Sequence, residues 1–180
     1  MDVAVVYESM FGNTRMIAEA VAEGLRSDPD VQVAVVPVAG TTSEVLRPVD
    51  LLVVGAPTYF LHLSSPRSRQ MGLRIGATPS KDGSARPNLE PGSSGPGVRE
   101  WLDSLPRAAP GRRAAAFDTR LGRPLAGGAA RSIARRLRRR GYRMAAKPQR
   151  FIVADMSGPL REGEHERARA WGAGLLRPSG

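Results

Sequence analysis

The sequence predicts a doubly wound α/β fold, in which helices cover both faces of a five-stranded parallel sheet in three layers. Short apolar runs alternate with amphipathic segments along the 180 residues, and the run Leu51–Ala56 is apolar without interruption. Continuous apolarity is typical of a strand that is covered on both faces, and alternation of strands with helices is typical of a parallel sheet. The predicted strands are Val3–Tyr7, Val31–Val38, Leu51–Ala56, Ala114–Phe117 and Phe151–Ala154.

Four segments between or after these strands have apolar residues at helical spacing. The first runs from Arg15 to about Leu25, and the second ends before Pro106. The third has one apolar face and stops at Gly141, a residue that often follows the last helical turn. The last runs from about Glu164 to Leu176. The pattern predicts strand–helix units, joined by the right-handed crossovers that parallel strands require.

Residues 61–97 interrupt this alternation. The segment is rich in Gly, Pro, Ser and Arg and has no sustained periodicity. A loop of this length inside a compact domain is either functional or disordered. We therefore predict a single domain over residues 1–180, with an irregular insertion at about 61–97.

The composition excludes several kinds of site. The chain has no cysteine, which excludes disulfides, iron–sulfur clusters and a cysteine nucleophile, and two histidines are too few for a histidine-rich metal site. No apolar run approaches bilayer length, so we expect no membrane association and a cytoplasmic location. The net charge of +10 is compatible with an acidic partner, nucleic acid, an anionic ligand or a coding bias, and the sequence does not separate these.

A polar loop follows the first predicted strand and precedes the first predicted helix. It reads Ser9, Met10, Phe11, Gly12, Asn13, Thr14. Hydroxyl and amide side chains together with the free N–H groups of a helix N-terminus form a site for a phosphate, and Gly12 allows close approach. No Gly-Lys pair occurs anywhere, so a Walker-type nucleotide site is excluded, and a terminal phosphate monoester fits better than a diphosphate.

Two further strand ends carry suggestive residues. Pro57, Thr58, Tyr59 and Phe60 follow the third strand, and adjacent aromatic rings can stack on a planar ligand. Phe117, Asp118, Thr119 and Arg120 end the fourth strand and could hydrogen-bond the edge of a heterocycle. Ligands of doubly wound sheets bind at the carboxyl ends of the strands. A phosphate loop, an aromatic slot and a polar edge together indicate a site for flavin mononucleotide (FMN).

These segments resemble the flavodoxin family, most closely short-chain flavodoxin-domain proteins of high-GC, actinobacterial-type bacteria. The stretch from Val5 to Thr14 is similar to the flavodoxin signature, and Gly55–Tyr59 is similar to its ring-stacking loop. The resemblance implies strand order 2-1-3-4-5, non-covalent FMN and electron transfer. It places residues 9–14 at the phosphate, residues 58–60 along the ribityl chain and ring, and residues 117–120 at the ring edge.

The resemblance leaves three functions open. The first is an electron carrier, the second an FMN-dependent oxidoreductase such as a quinone reductase, and the third a flavin-free interaction module on the same scaffold. Whether the protein is an enzyme is therefore undecided at this point. Seven arginines between Arg131 and Arg143 favour a solvated helix face that docks an acidic redox partner over nucleic-acid binding, because no recognised nucleic-acid module accompanies them.

Overall fold

The structure, a computed structural model, places five α-helices around a mixed but mainly parallel sheet. It describes residues 1–41, 49–59, 62–77, 89–91, 93, 95–122, 128–155 and 157–177. The strands are β1 Asp2–Tyr7, β2 Gln32–Pro37, β3 Leu51–Tyr59, β4 His62–Leu63, β5 Arg113–Leu121, β6 Arg143–Met144 and β7 Gln149–Val153. The helices are α1 Asn13–Leu25, α2 Pro66–Ala77, α3 Val98–Ser104, α4 Ala129–Arg139 and α5 Glu164–Gly174, and a 3-10 turn spans Val38–Gly40.

The predicted strand order 2-1-3-4-5 is confirmed. β2, β1, β3 and β5 are parallel neighbours in that order, and the fifth position is shared by β6 and β7. β6 pairs with the start of β5 and β7 with its end, so residues 145–148 interrupt one edge strand. The short β4 returns antiparallel to the end of β3.

Each face of the sheet carries its own apolar core, which confirms the three-layer arrangement. On one face α1 and α5 pack against alternate residues of the strands, such as Val5, Val53 and Phe117. On the other face α3 and α4 pack against the intervening residues, such as Val6 and Val54. The central strands β1, β3 and β5 are therefore buried on both faces over most of their length, which is why they contain unbroken apolar runs, whereas the edge strand β2 is partly exposed.

Residues 66–77 differ from the prediction of an irregular segment, because they form α2. Among the residues of this helix whose side chains the structure describes, Gly72 and Arg69 are buried and Met71 is exposed, so these residues form no apolar stripe. The sequence at the start of this helix did contain a recognisable helix-start pattern. The Ser65 hydroxyl accepts the Ser68 N–H, and a serine followed by proline at the first helical position is a recognised helix start.

Two strands are longer than predicted. β3 continues through Pro57 to Tyr59, and β5 continues to Leu121. Because the pairing of β1 with β3 ends at Gly55, the β1 side of β3 is free at Pro57, and the missing proline N–H breaks no ladder bond there. Pro57, Thr58 and Tyr59 therefore belong to β3 and residues 117–120 to β5, whereas Phe60 lies outside the described residues.

Candidate functional site

The loop between β1 and α1 is confirmed as a strand–loop–helix turn. Gly12 is the residue before α1 and has a left-handed backbone with φ of 87°, a conformation that favours glycine. No side chain caps this helix among the described residues. The Ser9 hydroxyl accepts the Gly12 N–H at 3.2 Å. The N-terminal turn of a 13-residue helix is thus presented without a capping side chain, which fits an anionic group.

The polar side chains of this loop have different tasks. The Asn13 amide donates to the Ser157 carbonyl at 3.0 Å and holds the segment after β7. The Thr14 hydroxyl lies 2.7 Å from the Thr119 hydroxyl of β5, so it joins α1 to the sheet. Ser9 keeps a hydroxyl beside the turn. Asn13 and Thr14 thus each make a contact outside the loop, whereas the Ser9 hydroxyl accepts an N–H of the loop itself, and the role of all three at a phosphate stays a prediction.

Met10 and Phe11 form the apolar part of the loop. Met10 is 4% exposed, and its carbonyl accepts the Glu90 N–H at 2.9 Å. Phe11 is half-buried. These residues shape the loop with their backbone and supply no side-chain donor.

The second predicted segment lies at the end of β3. Thr58 accepts the N–H of Ala129 at 2.9 Å and so caps the N-terminus of α4. Pro57 is half-buried, and it pairs in register with Thr119 of β5. Tyr59 is the last residue of β3, and Phe60 lies outside the described residues. The stacking role predicted for the two aromatic residues stays a prediction.

The third predicted segment is not a loop, and the strand divides it between two faces. Side chains of a strand alternate, so Phe117 and Thr119 face α1 and α5, while Asp118 faces α4. Phe117 is fully buried, with its ring 5.9 Å from Phe151 and 6.1 Å from Trp171 between centroids. The Phe117 ring therefore belongs to the apolar core, and a contact of residue 117 with a flavin edge stays a prediction that only its backbone could meet.

Asp118 is the most unusual polar group at this edge of the sheet. It is 2% exposed, and its Oδ2 accepts the Ala130 N–H at 3.0 Å. Within the part of the chain that the structure describes, its Oδ1 has no hydrogen-bond partner. Burial raises the pKa of Asp118, and the Ala130 N–H and the nearby charge of Arg120 only partly oppose this. A buried acceptor without a donor marks this carboxyl as a candidate ligand-contacting group.

Glu8 was missed by the sequence analysis. It is 7% exposed and directly follows β1. One carboxylate oxygen accepts the Ser64 hydroxyl at 2.5 Å, and the other accepts the N–H of Val98, the first residue of α3, at 2.8 Å. Arg69 of α2 donates to Ser64 at 3.3 Å and pairs with Glu100 at 3.1 Å. This network ties the end of β1 to α2 and α3. Its one sequence signal is a charged residue directly after an apolar strand.

A cavity of about 180 Å³ lies beside the first loop. Its walls come from the ends of β1 and β2, from α2 and from the segment that precedes α3. The lining residues are Tyr7, Glu8, Ser9, Pro37, Val38, Ala39, Arg69, Glu90, Pro91, Ser93, Gly95 and Pro96. Burial raises the pKa of Tyr7, with a further contribution from the Glu90 charge.

Neither a metal cluster nor a membrane span is found in the described part of the chain. No group of three or more His, Cys, Asp or Glu side chains there could hold a metal ion. None of the helices described is both long and apolar enough to cross a bilayer.

Comparison with known proteins supports the same fold. The flavodoxin family model matches residues 5–69, which hold the first loop and the end of β3. No curated protein matches the chain.

Solved structures match over nearly the whole chain. An archaeal flavodoxin is 21% identical with a TM-score of 0.64, over 97% of this chain and 96% of its own. Oxidised flavodoxin 1 from Bacillus cereus is 16% identical with a TM-score of 0.64, over 98% and 97%. The flavodoxin of Streptococcus pneumonia TIGR4 is 17% identical with a TM-score of 0.65, over 97% of each chain. The chain therefore has the α/β flavodoxin-like fold, and residues 5–69 are similar to the flavodoxin family.

Proposed function

We propose that this protein binds FMN and transfers electrons in the manner of a flavodoxin. One observation carries the proposal: an anion-accepting helix N-terminus follows β1 at the carboxyl edge of a 2-1-3-4-5 parallel sheet, within the residues that match the flavodoxin family. This is the switch point, where the chain leaves β1 and β3 toward opposite faces, and ligands of such sheets bind there.

The residues present fit the phosphate end of FMN. The uncapped turn of α1 and the Ser9 hydroxyl would hold the phosphate, and the flavin would supply reversible electron transfer. Thr58 and Asp118 cap α4 at the neighbouring strand ends. Among the described residues, the buried Oδ1 of Asp118 is an acceptor without a donor, and in this proposal it receives a ring N–H. The Phe117 side chain is not part of this proposed site.

The visible absorption spectrum of the purified protein tests the proposal, before and after added FMN. We expect a flavin spectrum that survives gel filtration, with riboflavin retained less well because it lacks the phosphate. Protein that stays colourless with excess FMN would refute flavin binding and favour a flavin-free interaction module. The substitution Asp118→Ala keeps the first loop intact, so we expect it to shift the flavin spectrum more than it weakens phosphate-dependent retention.

A second candidate is an FMN-dependent oxidoreductase. The observation that favours it is the cavity beside Ser9, because a small substrate could enter next to the phosphate loop. A steady-state assay with NADPH and quinones separates the two functions. Turnover without a separate reductase would establish an enzyme, and its absence in flavin-loaded protein would favour the carrier.

The proposed redox partner is an acidic protein that docks on α4. Arg131, Arg135, Arg138 and Arg139 are exposed, and none of them forms an ion pair among the described residues. The nearby Arg136 pairs with Asp103 at 3.2 Å and is not available. Complementary charge raises association rates at low salt. We therefore expect Arg135→Glu to slow reduction by an acidic partner at low ionic strength and to have little effect at high ionic strength.

A further inference from the structure

A carboxylate of the chain itself lies over the N-terminal turn of α1. A Cβ placed on Gly12 would lie 3.2 Å from Glu90 Oε1. The Glu90 N–H donates to the Met10 carbonyl at 2.9 Å, so its backbone is attached to the same loop. Glu90 lies outside the helices and strands that the structure describes. A negative group therefore lies at the positive end of α1, where helix N-termini favour an anion.

Arg15 connects this carboxylate to the first turn of α1. The Arg15 Nε donates to both carboxylate oxygens of Glu90, at 3.0 and 3.2 Å. The Arg15 Nη1 donates to Glu19 at 2.8 Å. The Arg15 side chain is 38% exposed and that of Glu90 is 20% exposed, so both can rearrange without unfolding a core. A guanidinium that pairs with a carboxylate is equally suited to pair with a phosphate.

We propose that Glu90 is an internal anion that occupies the phosphate end of this loop, and that a phosphate monoester displaces it and takes Arg15 as a ligand. The inference rests on the proposed function, because it concerns the same loop. It adds a binding residue, Arg15, and a competing residue, Glu90. A carboxylate and a phosphate at the same helix turn would repel each other, so in this proposal only one of them occupies the turn at a time.

The exchange has a physical consequence for specificity. A ligand without a phosphate gains nothing from Arg15 and does not need to displace Glu90. Removing the Glu90 charge therefore strengthens binding of phosphate-bearing ligands alone. Removing the Arg15 charge weakens binding of the same phosphate-bearing ligands. In the double variant, removal of the Glu90 charge then strengthens their binding much less, because that gain depends on the Arg15 guanidinium.

The test compares wild type, Glu90→Gln, Arg15→Gln and the double variant. FMN and riboflavin are titrated by flavin fluorescence, and inorganic phosphate is titrated by thermal shift against chloride at matched ionic strength. We expect Glu90→Gln to tighten FMN on the order of tenfold and to leave riboflavin unchanged. We expect Arg15→Gln to weaken FMN by a similar factor. Glu23→Gln, an exposed charge on α1, is the matched control for net charge and should change neither ligand more than about twofold.

The outcomes separate this inference from the proposed function. If FMN binds and Glu90→Gln leaves the FMN-to-riboflavin ratio unchanged, the inference is wrong and the proposed function stands. If no variant binds FMN but inorganic phosphate protects Glu90→Gln more than wild type, the inference stands and the flavin proposal fails. If phosphate protects neither protein, or if Glu23→Gln matches the effect of Glu90→Gln, the exchange does not exist.

Discussion

Removal of the Glu8 carboxylate is expected to destabilise the edge of the sheet that carries the candidate site. Glu8 is 7% exposed and accepts two hydrogen bonds, from Ser64 at 2.5 Å and from the Val98 N–H at 2.8 Å. Hydrogen bonds to a charged group contribute about 1.5–3 kcal/mol each, so Glu8→Ala should cost about 3–5 kcal/mol in the free energy of unfolding. The first helical N–H of α3 would then be buried without an acceptor.

Urea denaturation followed by circular dichroism measures this cost. With a slope of about 2 kcal/mol per molar urea, the midpoint should fall by roughly 1.5–2.5 M. Glu8→Gln keeps one acceptor oxygen but places an NH2 group against the second of the two donors. It should therefore lower the free energy of unfolding by about half as much as Glu8→Ala. The exposed Glu23→Gln should lie within about 0.5 kcal/mol of wild type. A loss below about 1 kcal/mol for Glu8→Ala would show that the network does not stabilise this edge.

Three further expectations concern single residues at or near the site. Burial raises the pKa of Asp118 in the folded protein. The free energy of unfolding of wild type should therefore fall as pH rises from the unfolded-state pKa of about 3.9 through the raised folded-state pKa. Asp118→Asn should remove this pH dependence, as measured by urea denaturation at several pH values. Thr119→Val breaks the 2.7 Å hydroxyl contact with α1 and leaves a buried hydroxyl unpartnered, which should cost about 1–3 kcal/mol in the same assay. Gly55→Ala would place a Cβ 2.0 Å from the Phe117 ring and should lower Tm by several degrees, about 1–3 kcal/mol of overpacking, whereas Gly40→Ala, with open space around it, should have little effect.

Much of the fold could be predicted because its signals are local. An apolar run buried on two faces, as in Leu51–Ala56, predicts a parallel strand whatever its neighbours are. A helix that buries an apolar stripe, as α1 does, is equally visible. α2 was missed because it buries a guanidinium and a glycine instead, so its periodicity carries no apolar signal.

The candidate site was predicted only in part. The loop from Ser9 to Thr14 was found because strand, polar loop and helix follow one another along the chain. The hydrogen-bond partners of its side chains were not found, because Thr14 contacts a residue 105 positions away and Asn13 contacts a residue 144 positions away. The segment from Phe117 to Arg120 was taken as one surface because a sequence does not show where a strand ends.

The sequence by itself determined the alternation of the main strands and helices and the presence of a polar loop and a helix start after β1. Local patterns of hydrophobicity and turn residues suffice for that. Only the tertiary structure decided which groups meet at the carboxyl edge of the sheet. Glu90 lies near Gly12, and Arg15 lies between two carboxylates. Glu8 accepts the first N–H of α3, and Asp118 accepts an N–H of α4 with one of its two oxygens. Except for the pair of Arg15 with Glu19, these contacts join residues far apart in sequence, and their chemistry depends on distances of a few ångströms that no local pattern encodes.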